Sequence, residues 1–343
     1  MLSKKQYQQI RDDLDTCKKP LFFFHDDADG LCSFLLFYRY VREGKGVIIK
    51  TAPRIDEKFL RKVEEYDPDK IFILDIAIVE QEFIDSVKQK IIWIDHHQPL
   101  DRDRVLYFNP RISDHEDNFP VSYLCYKVVK RDLWLAMTGC VGDWFFPDFA
   151  DKFRKEFPDL LPKDVNDPED ALFHSRIGDL VNMIQFSLKG KTSDVMKSIK
   201  TMTRIDSPYE ILNQTTPSGK FIFKRFSGID KDYQKLRKQA LAVKPKGNLF
   251  LFRYPHQTYS FTKELANELL HLKPNKIILI AREKGDEVKI SLRSKKYVIL
   301  QLLNQALIGV SGYGGGHEHA CGGNIQKDDF DQFVDQLVEA SKK

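Results

Sequence analysis

The chain has 343 residues, of which 42% are hydrophobic and 30% charged, and its formal net charge is +4 at pH 7. That length allows two domains with a core each and needs no staples; five scattered cysteines without a CxxC pair argue against a zinc ribbon or a disulfide framework. The N-terminus has no apolar leader core and no run approaches the ~18 uncharged apolar residues of a membrane span, so a cytoplasmic location without membrane contact is expected.

In chain order, LFFF from Leu21, GVIIK from Gly46, KIFILDIA from Lys70 and KIIWIDHH from Lys90 are short, β-branched or aromatic runs bounded by polar residues, which predicts buried strands. Between them LCSFLLFYRYVREG, DEKFLRKVEEY and EQEFIDSVKQK have helical spacing. This alternation predicts an α/β fold with a doubly wound parallel sheet. After Trp144 the periodicity turns helical, giving a helical extension of the first domain over 1–206. A connector with a basic helix follows over 207–247, and a second, smaller α/β domain over 248–343. From Lys220 to Lys246 nine Lys or Arg stand against two Asp; a solvated helix face and a phosphate-tracking surface both explain them.

Ligands of an open parallel sheet bind at the carboxyl ends of its strands. The first predicted strand ends in His25, Asp27 and Asp29, the third in Asp75, and the fourth in Asp95, His96 and His97; the turn TGCVGDW adds Asp143. In an extended segment residues two apart share a side, so His25, Asp27 and Asp29 are expected to converge while Asp26 and Ala28 point away, with Gly30 turning the chain into a helix. Carboxylates crowded in a low-dielectric cleft need a cation or protons. Oxygen donors mixed with imidazole suit Mn²⁺ or Mg²⁺, with Zn²⁺ or Co²⁺ as substitutes. Two ions roughly 3.5 to 4 Å apart, sharing a carboxylate and a water, are the arrangement that hydrolyses phosphate esters.

The order HxDxDG, an Asp-ending strand, Asp95-His96-His97 and Gly142-Asp143 resembles the DHH phosphoesterase superfamily, and SGYGGGHEHACGGNI from Ser311 resembles the DHH-associated domain of RecJ-like nucleases and nanoRNases. The resemblance spans about 25–325. It implies that Asp27, Asp29, Asp75, His96 and Asp143 hold two metal ions, Mn²⁺ before Mg²⁺, with Asp75 as bridge and His25 as a further ligand. Asp95, His96 and His97 complete the catalytic set, His97 orienting its neighbours or touching the phosphate. In the second domain, Gly312, Gly314, Gly315 and Gly316 are expected to form a loop whose amides cradle a phosphate or sugar, with His317 and Arg293 binding substrate. His319 is as well explained by packing.

The expected activity is a single-strand-specific exonuclease on DNA or RNA, acting in a cleft between the domains, as in short archaeal RecJ-like proteins. A nanoRNase or a 3′-phosphoadenosine 5′-phosphate phosphatase acting on short oligonucleotides is the nearest alternative, and a replication or repair binding partner without catalysis is the alternative of another class. A pyrophosphatase fits less well, because that branch lacks the glycine signature.

Overall fold

The computed structural model describes residues 1–50 and 53–342. Contacts divide the chain into two compact units, Met1–Phe226 and Ser227–Lys343. The division falls within the 25-residue helix Pro217–Leu241.

The first unit is built on strands β1 (Pro20–His25), β2 (Lys45–Ile49), β3 (Arg54–Ile55), β4 (Lys70–Leu74), β5 (Ile78–Val79), β6 (Lys90–Ile94) and β7 (Leu106–Phe108). Five of them form one sheet in the order β2-β1-β4-β6-β7, every pair parallel; β3 and β5 form a separate parallel pair. Buried parallel strands read as continuous apolar runs because both faces are covered. Phe22, Phe24, Phe72, Leu74, Ile92 and Ile94 pack on one side, against helices that include Ala28–Val41, Val121–Val129 and Leu133–Gly142. Phe23, Ile73 and Trp93 pack on the other, with Val63 and Phe83. The parallel sheet with covered faces is the α/β architecture expected. The strand order reverses direction between β1 and β4, and such a switch point opens a crevice at the carboxyl ends.

Helices Ala150–Glu156, Pro168–His174, Arg176–Ser187 and Thr192–Met202 make the expected helical stretch after Trp144. The basic helix, expected over DKDYQKLRKQALAV from Asp230, begins earlier, at Pro217, a residue whose fixed φ suits the first helical turn. Several of its cations are already engaged: Arg225 donates to the carbonyls of Ser187 and Lys189, Lys235 pairs with Asp232, and Arg237 bonds Glu268 at 2.5 Å.

In the second unit β8 (Leu249–Tyr254), β9 (Ile277–Lys284), β10 (Glu287–Arg293), β11 (Gly312–His317) and β12 (Ala320–Gln326) form a sheet in the order β11-β12-β10-β9-β8. Only β8 and β9 run parallel, joined by helix Thr262–Leu272. One sheet face carries a core of Leu279, Ala281, Val288, Ile290 and Leu292, closed by helices Ile299–Ala306 and Phe330–Ala340. The glycine stretch expected as a loop is strand β11, because Gly314 and Gly315 stand opposite Gly323 and Gly322 in an antiparallel ladder. Turn propensity yields here to backbone pairing with the strand that follows directly in a hairpin, β12.

Candidate metal centre

Backbone connections set each acidic group on the rim of the switch point. β1 ends at His25, and Asp27 caps helix Ala28–Val41, its carboxylate accepting the Gly30 N–H at 3.1 Å. Asp29 therefore sits in the first helical turn, so the expected strand alternation reaches only from His25 to Asp27. Asp26 does not turn away either: its carboxylate lies 3.5 Å from His25 Nε2. Gly30 serves close approach instead of the turn expected of it, since a Cβ there would fall 2.6 Å from the His25 carbonyl oxygen. Asp75, after β4, has φ +59°, a left-handed conformation costly for an Asp, while its N–H still bonds Ile94 O at 3.1 Å. The buried Trp93 indole donates to Ile76 O at 2.8 Å and stacks on Tyr107, which fixes that bend from behind. Asp143 closes helix Leu133–Gly142.

Three overlapping groups result: His25, Asp27 and Asp75; Asp75, His96 and His97; and Asp29, His96 and Asp143, with donor atoms within 4.8 Å of one another in each. His25 Nδ1 is 3.1 Å from Asp27 and 3.3 Å from Asp75, and His96 Nε2 is 3.4 Å from Asp75 and 3.7 Å from Asp143. Asp29, Asp75 and His96 are buried. Asp95 is fully buried beside this cluster and does not enter it; it accepts the His97 N–H at 3.0 Å and lies 2.8 Å from His97 Nδ1. Asp95 thereby fixes the His97 ring through Nδ1 and leaves Nε2 outside that contact.

Several partners carry no sequence signal. Asn118 Oδ1 is 3.1 Å from His96 Nδ1, an outer contact that leaves Nε2 to the cluster. Buried Asn109 bonds His97 O at 2.9 Å and the Tyr107 hydroxyl at 2.9 Å. Asp29 also accepts the N–H groups of Val121 (2.7 Å) and Ser122 (2.8 Å) and the Ser122 hydroxyl, so it anchors the start of helix Val121–Val129 as well as the rim. Only the short strand β7 and a helix start far along the chain reveal these roles.

Burial alone would lower His25 and His96. The carboxylates override it, Asp27 and Asp75 for His25 and Asp143 and Asp75 for His96, and hold both well above the usual histidine range. Burial, then the charges of Asp75 and Asp143, pushes Asp29 well above the carboxylate range. Asp75 lies below that range despite burial and Asp27, because His25 and His96 flank it. Burial, opposed by Asp95, leaves His97 raised. The donor set fits a divalent cation: the buried His25 Nδ1 and Asp75 Oδ2 face each other at 3.3 Å, and neither makes a hydrogen bond of good geometry. The thiols of Cys32, Cys125 and Cys140 are pushed well up by burial, so the available donors are carboxylate and imidazole.

In the second unit, strand register places Arg293 and His317 opposite Ala320, and Ser291 and Gly315 opposite Gly322, on the sheet face away from the Leu279–Ala281 side. Arg293 is pushed down to about 10 by burial and is held by Asn267 Oδ1 and the carbonyls of Leu292 and Cys321, each at 2.9 Å. Gly314 faces the opposite side, where a Cβ would meet Leu303 at 2.9 Å, and Gly316 has φ +142°. A Cβ on Gly315 would meet nothing within 4 Å. His317 and His319 are both exposed, and His319 Nδ1 lies 3.0 Å from Tyr297 O, a contact that ties its ring to the backbone.

The family model described as the DHH family, N-terminal domain, matches residues 21–136, and the DHHA1 domain model matches residues 260–343. No curated protein matches the chain by sequence. Among solved structures, RecJ from Thermus thermophilus in complex with Mn²⁺ superposes with a TM-score of 0.68 at 14% identity, covering 99% of this chain and 54% of that one. The chain therefore spans about half the length of that relative. An exonuclease RecJ bound to manganese gives 0.66 at 14% identity, covering 100% and 96% of the two chains. A pGpG-specific phosphodiesterase from Vibrio cholerae gives 0.51 at 16%, covering 95% and 99%. At these identities the likeness is one of fold. No helix among the described residues is long and apolar enough to cross a membrane.

Proposed function

The chain belongs to the DHH superfamily of phosphoesterases and has a C-terminal DHHA1 domain, and from that premise we propose that it is a divalent-metal-dependent phosphodiesterase removing nucleotides from an end of single-stranded DNA or RNA. The observation that supports this reading is the convergence of His25, Asp27, Asp29, Asp75, His96 and Asp143 at the sheet switch point. These residues would hold two ions, with Mn²⁺ the first choice and Mg²⁺ the second, and Asp75, which belongs to two of the three donor groups, would be shared. Divalent ions at such a centre act as Lewis acids on a phosphoryl oxygen and make water acidic enough to attack near neutral pH.

The protein's own groups supply the rest. The Asp95 carboxylate keeps the His97 proton on Nδ1 or stabilises the imidazolium, so His97 Nε2 faces substrate as a hydrogen-bond partner for a phosphate oxygen. Asn118 holds the His96 ring, and Trp93 holds the bend that aims Asp75. In the second unit Arg293, Gly315 and His317 would grip a nucleotide away from the scissile bond: Gly315 lets a ligand reach the backbone, and His317 donates to phosphate. Gly314 and Gly316, expected as substrate contacts, serve strand packing and backbone conformation and would contribute through their amides.

The test is a product ladder from 5′- and 3′-labelled DNA and RNA of graded length, with Mn²⁺ and with EDTA. Stepwise shortening of long single strands is expected. Turnover confined to about two to five nucleotides would replace the exonuclease with the short-substrate reading, and equal turnover by Asp95→Ala, His96→Ala and wild type would leave a binding role alone.

A further inference from the structure

The second-unit sheet bears another row on the same face as Arg293, Gly315 and His317. Tyr313 on β11 stands opposite Asn324 on β12, Asn324 opposite Lys289 on β10, and Lys289 opposite Arg282 on β9. Register and the two-residue alternation of side chains put all four on the face of the Arg293 row, four residues further along each strand, about 13 Å away.

Arg282 is 9% exposed, and among the described residues its polar contacts are Nη2 to His256 Nδ1 and to Gln257 O. Its Nε is buried without a partner, and no carboxylate among the described residues forms an ion pair with it. A guanidinium cannot shed its charge, and buried charges are otherwise paired. Lys289 stands directly across from it, with no carboxylate partner among the described residues, and like charges in that position repel. Asn324 is 8% exposed, and its Oδ1 too is buried without a partner. At the row's end Tyr313 is 70% exposed, a large ring that the protein leaves uncovered. Beyond the row, Glu287 stands two residues along β10 from Lys289 and opposite Lys284, and Asp232 pairs with Lys235 at 3.5 Å; among the described residues neither carboxylate forms an ion pair with Arg282 or Lys289.

Two like charges without counter-ions, an unsatisfied amide and an open aromatic ring in one line ask for an elongated ligand with anionic and π surfaces. We propose that the Tyr313–Asn324–Lys289–Arg282 row is a second binding station for a single-stranded oligonucleotide, with a base stacked on Tyr313 and a phosphate on Lys289 and Arg282. The inference rests on the nuclease reading for its choice of ligand. It adds that substrate extends across the sheet beyond the nucleotide gripped by Arg293, Gly315 and His317, which favours long strands over dinucleotides.

The deciding experiment measures affinity of the full chain in EDTA, by fluorescence anisotropy, for a labelled strand of about twelve nucleotides and for a dinucleotide. Lys289→Met and Tyr313→Ala, both at positions not fully buried, are each expected to weaken the long strand about tenfold, more than they weaken the dinucleotide, and Lys289→Met to flatten the salt dependence by about one unit of slope. Unchanged affinity for the long strand, or equal losses for both ligands, overturns the proposal. Arg282→Met is compared in the same assay once circular dichroism shows that it folds. Because binding is read without hydrolysis, a chain that binds long strands through this row yet cuts nothing refutes the nuclease reading alone, and a chain that cuts long strands unaffected by these variants refutes the row alone.

Discussion

Asp75 is where three demands meet: a left-handed backbone, burial, and contact with His25 and His96. Asp75→Asn keeps shape and removes charge, so its effect reports ion holding more than packing. Mn²⁺ affinity by calorimetry is expected to fall by more than the ~100-fold upper range for losing an outer partner, and turnover with it; wild-type uptake of Mn²⁺ would refute the assignment. Gly315 offers the converse test. Gly315→Ala meets open space, so the melting temperature should hold while KM rises roughly tenfold, about 1.4 kcal/mol of lost binding. Gly316→Ala, with φ +142° and the Ala320 carbonyl oxygen in the way of the added carbon, should lower stability instead. If Gly315→Ala left KM unchanged, that glycine would have no role in binding. Residue identity was legible where strand ends concentrate Asp and His. Asn118, Asn109 and the second task of Asp29 were not, because each depends on a contact with a segment that only the fold brings near.

Elements explain why the rim holds its shape. Trp93 lies on β6 but donates to the bend after β4, so one side chain couples two strand ends. Trp93→Phe preserves most of the ring burial and leaves the Ile76 carbonyl unpaired, at a cost of about 1–3 kcal/mol. We expect a lower melting temperature together with weaker Mn²⁺ binding, by about tenfold; a stability loss with unaltered Mn²⁺ affinity would show that the bond serves the fold alone. The four long apolar strands were readable because burial on both faces makes them continuous runs. β7 was not, since Leu106–Phe108 is too short to show a period. β11 was misread as a loop because its glycines take their meaning from Gly322 and Gly323 across the ladder. Register likewise aligns Tyr313, Asn324, Lys289 and Arg282, residues that no spacing in the sequence connects.

At the scale of the whole molecule, the two-part organisation shows in the sequence as two runs of alternating strands and helices, and the candidate ion centre belongs to the first unit alone. An ion that binds only the folded state stabilises it, by about 2.7 kcal/mol at a hundredfold excess over Kd. The size of that gain must depend on pH. Without metal, His25 and His96 are raised well above the usual histidine range and Asp29 well above the carboxylate range, so the folded state holds protons that the unfolded chain releases. For the histidines, this contribution to stability is complete below their unfolded value, about 6.5, and is lost as pH rises through the higher folded values. The raised Asp29 acts with the same sign, and the lowered Asp75 titrates below the window. Metal must displace the same protons, so its affinity rises with pH while the metal-free fold weakens. Calorimetric melting at about pH 6 and pH 8, with Mn²⁺ and with EDTA, should therefore show an Mn²⁺-dependent upward shift that is larger at the higher pH, accompanied by net proton release on titration. An equal or smaller shift at pH 8 would mean that the ion does not occupy the His25, His96 and Asp29 cluster.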